Sequence, residues 1–331
     1  MYYEAYHRKK KRRAKPGKRR RLSFGEWLGQ GLLRLLALAL TVALLSAALL
    51  YALPPSLFAV EPEGMELGVS MGLPTSCLNV LLLGTDELRD GAQRSDAIMI
   101  ASIGYGKCRL TSLMRDTVAD IPGHERNKLN AAYAYGGPEL AMRTVNLTFG
   151  TNIVHYAQVD YVALVRVIDA LGGVEMDITE AERERLNAAM LKVRNVFAPL
   201  GYTAKELTQS GQNVHLDGLQ ALSFARLRKL DSDFARTGRQ RALLAAIINK
   251  VKASLWNPVK LLRLTRTVMD SVHTNMSAMQ ILSLGEKALL AGGVEQLRLP
   301  LDGTYTDDGS RLTLTDPGKN REALMGFIYG E

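Results

Sequence analysis

The sequence predicts a layered α/β domain behind a single membrane-spanning helix. Three observations predict it. Strand-type and helix-type segments alternate from residue 78 onward, the pattern of a sheet covered by helices. The run Leu35–Leu53 holds no charge over 19 residues. The net charge of +9 is concentrated rather than spread. Residues 1–34 carry 12 of the 42 Lys/Arg and two of the 33 Asp/Glu, which leaves 30 bases against 31 acids in the rest of the chain.

The charge pattern orders the N-terminal part. "RKKKRRAKPGKRRR" (8–21) precedes the uncharged run. At about 1.5 Å per residue that run makes a helix of roughly 28 Å, close to a bilayer's hydrocarbon core. Dense Lys/Arg before it orients the N-terminus to the cytoplasm and the rest of the chain outside. Trp27 stands where an interfacial aromatic belongs, and Pro54-Pro55 stops the helix. A cleaved signal peptide is the rival reading, but its usual apolar core of 7–15 residues is shorter than this one. The expected division is a basic cytoplasmic tail (1–30), a transmembrane helix (31–53), a Pro/Gly/Ser-rich linker (54–76) and an extracytoplasmic domain (77–331).

Within that domain, "LNVLLLG" (78–84) is a continuous apolar run fit for a buried strand. "DAIMIASI" (96–103) and "KCRLTSLM" (107–114) flank "GYG" and predict a hairpin. "GGPELAMRTVNLTFG" has Pro138 at a helix start and Gly150 at its end. "YVALVRVIDALGG" is apolar at 162, 165, 168 and 171, a helix closed by Gly172-Gly173. "GVEMDI" is a strand, and the charged stretch 180–212 is a helix with a loop. "LDGLQALSFAR" is a helix with Asp217 as N-cap. "RQRALLAAIINKVKASL" is a long amphipathic helix. Two helices near 257–272 and 277–291, the strands "VEQLRLPL" and "RLTLT", and a last helix complete the domain. Cys77 and Cys108 both open strand-like runs. In an oxidising compartment they are expected to be bridged, with two free thiols the open alternative.

The chemistry concentrates in "FARLRKLDSDFARTGRQR" (224–241), which has five arginines and two aspartates. Arg226 and Arg228 lie two apart and share one side of an extended segment. Arg236, Arg239 and Gln240 lie three and four apart and share a helix face. Two cationic faces joined by an acidic turn converge on one point, and arginine suits a phosphate there. Other loops share this character. Asp86 follows the first strand, Asp96 starts the second with Arg94 beside it, and Arg115-Asp116 follows the third. Lys128 and Asn130 precede a helix. Two Asp without His or Cys suit Mg²⁺ where phosphates complete its shell, with Mn²⁺ an alternative. Taken singly, each is more often a cap or a surface ion pair. Together they point to a polyphosphate site.

These stretches, in this order, resemble the LytR-CpsA-Psr (LCP) family of bacterial cell envelopes. The resemblance runs from about Asn79 to Val251. It is carried by "NVLLLGTD…RSDAIMIASI", "RDT…IPGHERNKLNAAYAYGGPEL", "IDALGGVEMDI", "LDGLQALSFARLRK" and "DSDFARTGRQR". Met114 stands where members commonly have proline, and Ala235 where glycine is usual. The resemblance implies an α/β/α sandwich with a central mixed sheet and a deep apolar cavity for a lipid tail. The implied activity is a phosphotransferase that moves an anionic glycopolymer, such as a teichoic acid or capsule, from a polyprenyl-pyrophosphate carrier to peptidoglycan. Asp86 and Asp96 would hold Mg²⁺. Arg94, Arg115, Lys128, Asn130, Arg226, Arg228, Arg236, Arg239 and Gln240 would bind the pyrophosphate and its neighbours, and Asp233 is a candidate base.

Two other classes compete. One is an envelope-associated transcriptional attenuator, and the other a polyprenyl-phosphate binding protein without turnover. The basic tail beside a membrane span sets orientation rather than nucleic-acid binding, so no nucleic acid is expected. The Asp86/Asp96 pair argues for chemistry over binding alone. G-x-x-x-x-G-K-[ST] and H-E-x-x-H motifs are both missing.

Overall fold

The computed structural model describes residues 67–85, 94–227, 233–254 and 257–330. The apolar run "CLNVLLLGT" forms β1 (Cys77–Thr85). It lies inside a six-stranded mixed sheet with β2 (Ser95–Gly104), β3 (Lys107–Leu113), β6 (His155–Asp160), β9 (Val272–Thr274) and β10 (Val294–Leu299), in the order β10-β3-β2-β1-β6-β9. β1 runs antiparallel to β2 and parallel to β6; β3 runs antiparallel to β2 and parallel to β10. The expected α/β fold with a central mixed sheet is thus present. The β2–β3 hairpin turns on Tyr105 (φ 52°) and Gly106 (φ 66°), the two left-handed positions that match the strands' twist.

Alternation along β1 and β2 gives the sheet two different faces. Leu81, Leu83, Ile98 and Ile100 share a core with α1 (Leu129–Phe149) and α8 (Pro317–Tyr329). On the other side lie α2 (Tyr161–Ala170), α3 (Glu180–Phe197), α4 (Gly218–Ala225), α5 (Asp233–Ala253), α6 (Pro258–Ser271) and α7 (Ala278–Leu290). There α5 and α7 pack against Ile103 and Cys108. The remaining short strands pair off the main sheet: β4 (Val118–Ala119) with β5 (Asn127–Lys128), β7 (Val174–Ile178) with β8 (Gly211–Leu216), and β11 (Tyr305–Asp307) with β12 (Leu312–Leu314).

The helix ends follow their sequence signals. Asp217 caps α4 in a capping box with Gln220. Thr179 and Glu182 do the same for α3. Gly172 and Gly173, at φ 73° and 85°, turn the chain after α2. A Cβ on Gly173 would meet the His215 ring at 2.3 Å and the Leu216 carbonyl oxygen at 2.7 Å, so only glycine fits. α1 departs from expectation. It starts at Leu129 rather than near Pro138, and breaks at Gly136-Gly137, where Pro138 opens its second segment.

The expected Cys77–Cys108 bridge is corrected by the sheet. Both cysteines are free and buried. Cys77 sits with the α1/α8 core and Cys108 with the α5/α7 cluster, on opposite faces. β2 lies between their strands, so their backbones are separated by roughly 9–10 Å, two strand spacings, beyond the reach of a disulfide. Burial pushes the Cys77 thiol up to about 11 and also raises that of Cys108.

Among the described residues no helix is long and apolar enough to cross a membrane. The expected span, Leu35–Leu53, lies outside them.

Candidate active site

A fault in the β1–β2 register builds the site. Strict alternation would point Asp96 with Ile98 and Ile100 into the α1/α8 core. Gly84 pairs with Ala97, however, and Thr85 pairs with Ser95. Asp96 is therefore the extra residue of a β-bulge, a device that re-aims a side chain. Its carboxylate joins Ala97 and Met99 at a cavity on the opposite face. Gly84 lies beside it, and a Cβ there would come within 3.1 Å of the Ala97 methyl.

Arg115 and Tyr161 bond to Asp96, and Asp116, Lys128 and Arg226 attach through those two. Arg115, two residues past β3, donates from Nη1 to Asp96 Oδ1 at 2.7 Å and from Nε to Asp116 Oδ2 at 3.3 Å. Lys128 Nζ lies 2.9 Å from the other Asp116 oxygen. Tyr161, the first residue of α2, donates its hydroxyl to Asp96 Oδ2 at 3.2 Å. The Arg226 guanidinium sits 4.2 Å over the Tyr161 ring, within cation–π range.

Backbone contacts hold this array. Leu129 N donates to Thr117 O at 2.7 Å and Asn130 N to Arg115 O at 3.2 Å. These bonds lock the turn that carries Arg115 to the start of α1. Thr237 Oγ1 reaches Met114 Sδ at 3.5 Å and ties α5 to the same turn.

The cavity, about 240 Å³, is walled by Leu82, Met99, Ala157, Leu164, Leu222, Leu243, Leu244 and Ile247. Asp96, Arg226, Arg236 and Gln240 add charge and polarity to the same lining. Arg236 is only 3% exposed. A guanidinium held that deep is costly unless an opposite charge meets it.

The expected site residues divide accordingly. Asp96, Arg226, Arg236 and Gln240 line the cavity, and Arg115 and Lys128 join them through Asp96 and Asp116. Asn130 is buried and contributes its backbone. Arg94 is exposed just before β2 and does not line the cavity. Arg239 is turned away: it donates to the Leu227 carbonyl at 3.0 Å and pairs with Glu182 at 3.4 Å. It braces α5 against α3. Asp233 opens α5. Asp86 and Arg228 lie outside the described residues.

Asp96 suits a hard cation. Each carboxylate oxygen carries two lone pairs, and carboxylate oxygen is the ligand Mg²⁺ takes. Among the described residues no three His, Cys, Asp or Glu side chains converge. The second expected ligand, Asp86, is outside them.

Residues 61–321 match the model of the LytR_cpsA_psr family. The chain belongs to this family. The LytR-CpsA-Psr protein is 30% identical over 257 residues to TagU of Bacillus mycoides, named a polyisoprenyl-teichoic acid–peptidoglycan teichoic acid transferase, with 75% of this chain and 76% of TagU covered. It is 29% identical over 263 residues to the regulatory protein MsrR of Staphylococcus aureus, with 76% and 74% covered. The crystal structure of Bacillus subtilis TagT is similar at a TM-score of 0.59 and 25% identity, over 82% of this chain and 97% of TagT. TagT with bound octaprenyl pyrophosphate lipid superposes at 0.57 and 23% identity, over 82% and 95%.

Sequence reasoning missed one residue of the candidate site, Tyr161. Its signal was the pair Asp160-Tyr161 at a strand-to-helix junction. That junction becomes visible only once "HYAQVD" is read as β6. Both departures from the family pattern are accommodated. Met114 is buried and accepts from Thr237. Ala235 is an ordinary residue in the first turn of α5.

Proposed function

We propose that this LytR-CpsA-Psr protein is a membrane-anchored phosphotransferase. It moves an anionic glycopolymer from a polyprenyl-pyrophosphate carrier to peptidoglycan outside the cell membrane. One observation carries the reading: an apolar cavity shares its lining with Asp96, Arg226, Arg236 and Gln240. Such a site fits an amphipathic ligand, with a hydrocarbon tail against leucines and a phosphate head against guanidiniums. The names of TagU and of lipid-bound TagT support the same class. Leu35–Leu53 would be the anchor, preceded by the cytoplasmic tail.

In this reading an acceptor sugar hydroxyl attacks the glycan-side phosphorus of the pyrophosphate. A new P–O bond forms, the P–O–P bridge breaks, and polyprenyl phosphate leaves. Asp86 and Asp96 would hold Mg²⁺, or Mn²⁺, which supplies charge neutralisation at the phosphate oxygens. Arg226 and Arg236, with Arg228, bind those oxygens and stabilise charge that grows in the transition state. Arg115 fixes the Asp96 carboxylate through its Nη1 bond. Asp233 or one of the Mg²⁺-site aspartates would take the proton of the acceptor hydroxyl.

The test uses the full-length chain in detergent. Lipid extracts should contain polyprenyl phosphates by mass spectrometry. Transfer from a synthetic polyprenyl-pyrophosphoryl glycan to peptidoglycan oligomers should proceed, and a chelator should stop it. Leu244→Trp, which fills the cavity, should remove both lipid and transfer. Lipid retention without any transfer would leave a binding protein and sink the enzymatic reading.

A further inference from the structure

An aromatic side chain carries a large apolar face, prefers defined stacking geometries and, in tyrosine, has a polar handle that can fix its orientation. His124 and Tyr135 form a pair beside the transfer site. Both are exposed, Tyr135 at 45%. Their rings stack with centroids 4.5 Å apart and planes 20° from parallel.

The stack is fastened to the catalytic array. Asn127 Nδ2 donates to the Tyr135 hydroxyl at 2.8 Å, while Asn127 Oδ1 accepts from the Lys128 backbone N at 2.8 Å. Lys128 in turn pairs with Asp116, and Asp116 with Arg115. One asparagine thus joins an exposed ring stack to the backbone of Lys128, whose ammonium pairs with Asp116. The loop that carries His124 is pinned by its own turn, His124 N donating to Ile121 O at 2.9 Å. On the far side of Tyr135, α1 breaks at Gly136-Gly137, so no helical turn covers the ring from there.

We infer that the His124–Tyr135 stack is a platform for a pyranose ring of the glycan in transfer. The inference rests on the phosphotransferase reading for the identity of that glycan. A pyranose offers a flat face of C–H groups and an equatorial rim of hydroxyls. The C–H face fits an exposed aromatic ring. Flanking polar groups, Asp120, Arg126 and the Asn127 amide, can meet the rim; Arg126 and Asp120 already lie 3.6 Å apart at the surface. Preorganisation by the His124 stack and the Asn127 bond lowers the ordering cost of binding. The sugar could belong to the acceptor strand or to the donor's linkage unit. Both offer the same ring face.

The experiment separates the two sources and has a readout besides activity. The full-length protein in detergent is titrated with chitotetraose, a chain of β-1,4-linked N-acetylglucosamine free of lipid and phosphate. Binding is followed by calorimetry, and by the emission of a Tyr135→Trp variant. Tyr135→Phe, which keeps the ring and loses the Asn127 bond, should bind about two- to fivefold more weakly than wild type, Tyr135→Ala at least tenfold more weakly, and Tyr135→Trp should report binding by an emission shift. In the transfer assay, an acceptor platform predicts that Tyr135→Ala raises the half-saturating acceptor concentration at least tenfold and leaves that of the donor unchanged. A donor platform predicts the reverse. Equal chitotetraose affinity in wild type and Tyr135→Ala, with both half-saturation values unmoved, would overturn the platform while leaving the transferase standing. Tyr135-dependent sugar binding in a protein that transfers nothing would keep the platform and overturn the transferase.

Discussion

Arg115 Nη1 donates to Asp96 Oδ1 at 2.7 Å, and the same guanidinium reaches Asp116 through Nε. The two side chains are only 17% and 20% exposed, so the pair is poorly screened and its geometry is fixed. One arginine thus holds the carboxylate expected to bind metal and the carboxylate that holds Lys128. Groups acting as a unit give non-additive losses. Asp96→Ala and Arg115→Ala should each lower kcat by about 10²-fold or more, near 3 kcal/mol. The double variant should be little worse than the poorer single one. Arg115→Lys should rescue weakly, because an ammonium lacks the fork that meets two carboxylates. Independent, multiplying losses would show that Arg115 and Asp96 act separately.

Tyr161 has two separable contacts: its hydroxyl to Asp96 and its ring under Arg226. Tyr161→Phe removes only the first and should cost about tenfold in transfer, the net value of one good hydrogen bond. Tyr161→Ala also removes the cation–π contact, worth about 0.5–2 kcal/mol, and should cost tenfold more again. Equal losses in Phe and Ala variants would mean the ring does not position Arg226.

Arg236 and Arg239 are one helical turn apart and should behave oppositely. Arg239 braces Leu227 and Glu182 with its side chain 8% exposed. Arg239→Ala should lower stability by about 2–4 kcal/mol, seen as an earlier urea midpoint, while folded protein keeps its kcat. Arg236→Ala should abolish transfer with a smaller change in midpoint. If Arg239→Ala instead lost transfer at unchanged stability, its guanidinium would belong to the phosphate clamp.

The difference between those two arginines marks how far the sequence could be read. The strand "CLNVLLLG", the β2–β3 hairpin, the α2 stop at Gly172-Gly173 and the Asp217 cap are local effects, and local patterns revealed them. So did the convergence of Asp96, Arg115, Lys128, Arg226 and Arg236 at loop ends. What stayed hidden depends on neighbours. Arg236, Arg239 and Gln240 read as one face, yet packing against α3 takes Arg239 out of it. Asp96 reaches the cavity through a bulge that no alternation in β2 announces. "HYAQVD" is polar for an inner strand, and its apolar members Ala157 and Val159 border the cavity, so no apolar run announces β6. The cysteines looked pairable until strand parity placed them on opposite faces.

His155 gives a pH signature for this inner strand. It is 1% exposed on β6, opposite Val80, with Gln280 Nε2 3.5 Å from its Nε2. Burial lowers its pKa below the ordinary value, and a hydrogen bond with Asn275 opposes that only in part. The folded protein therefore resists protonation that the unfolded chain accepts at about pH 6.5. Below that pH the unfolded state binds more protons, so stability falls as pH falls, by at most about 1.4 kcal/mol per unit, until the folded imidazole itself protonates. Glu175 and Glu295, held low mainly by Lys250 and Lys107, contribute only at more acid pH. Urea unfolding between pH 7.5 and 5 should show a midpoint that drops steadily in wild type. His155→Gln should flatten that slope whatever its effect on absolute stability. Equal slopes in the two proteins would mean that His155 is protonated as readily in the fold as in the open chain, and that β6 is wetter than its burial implies.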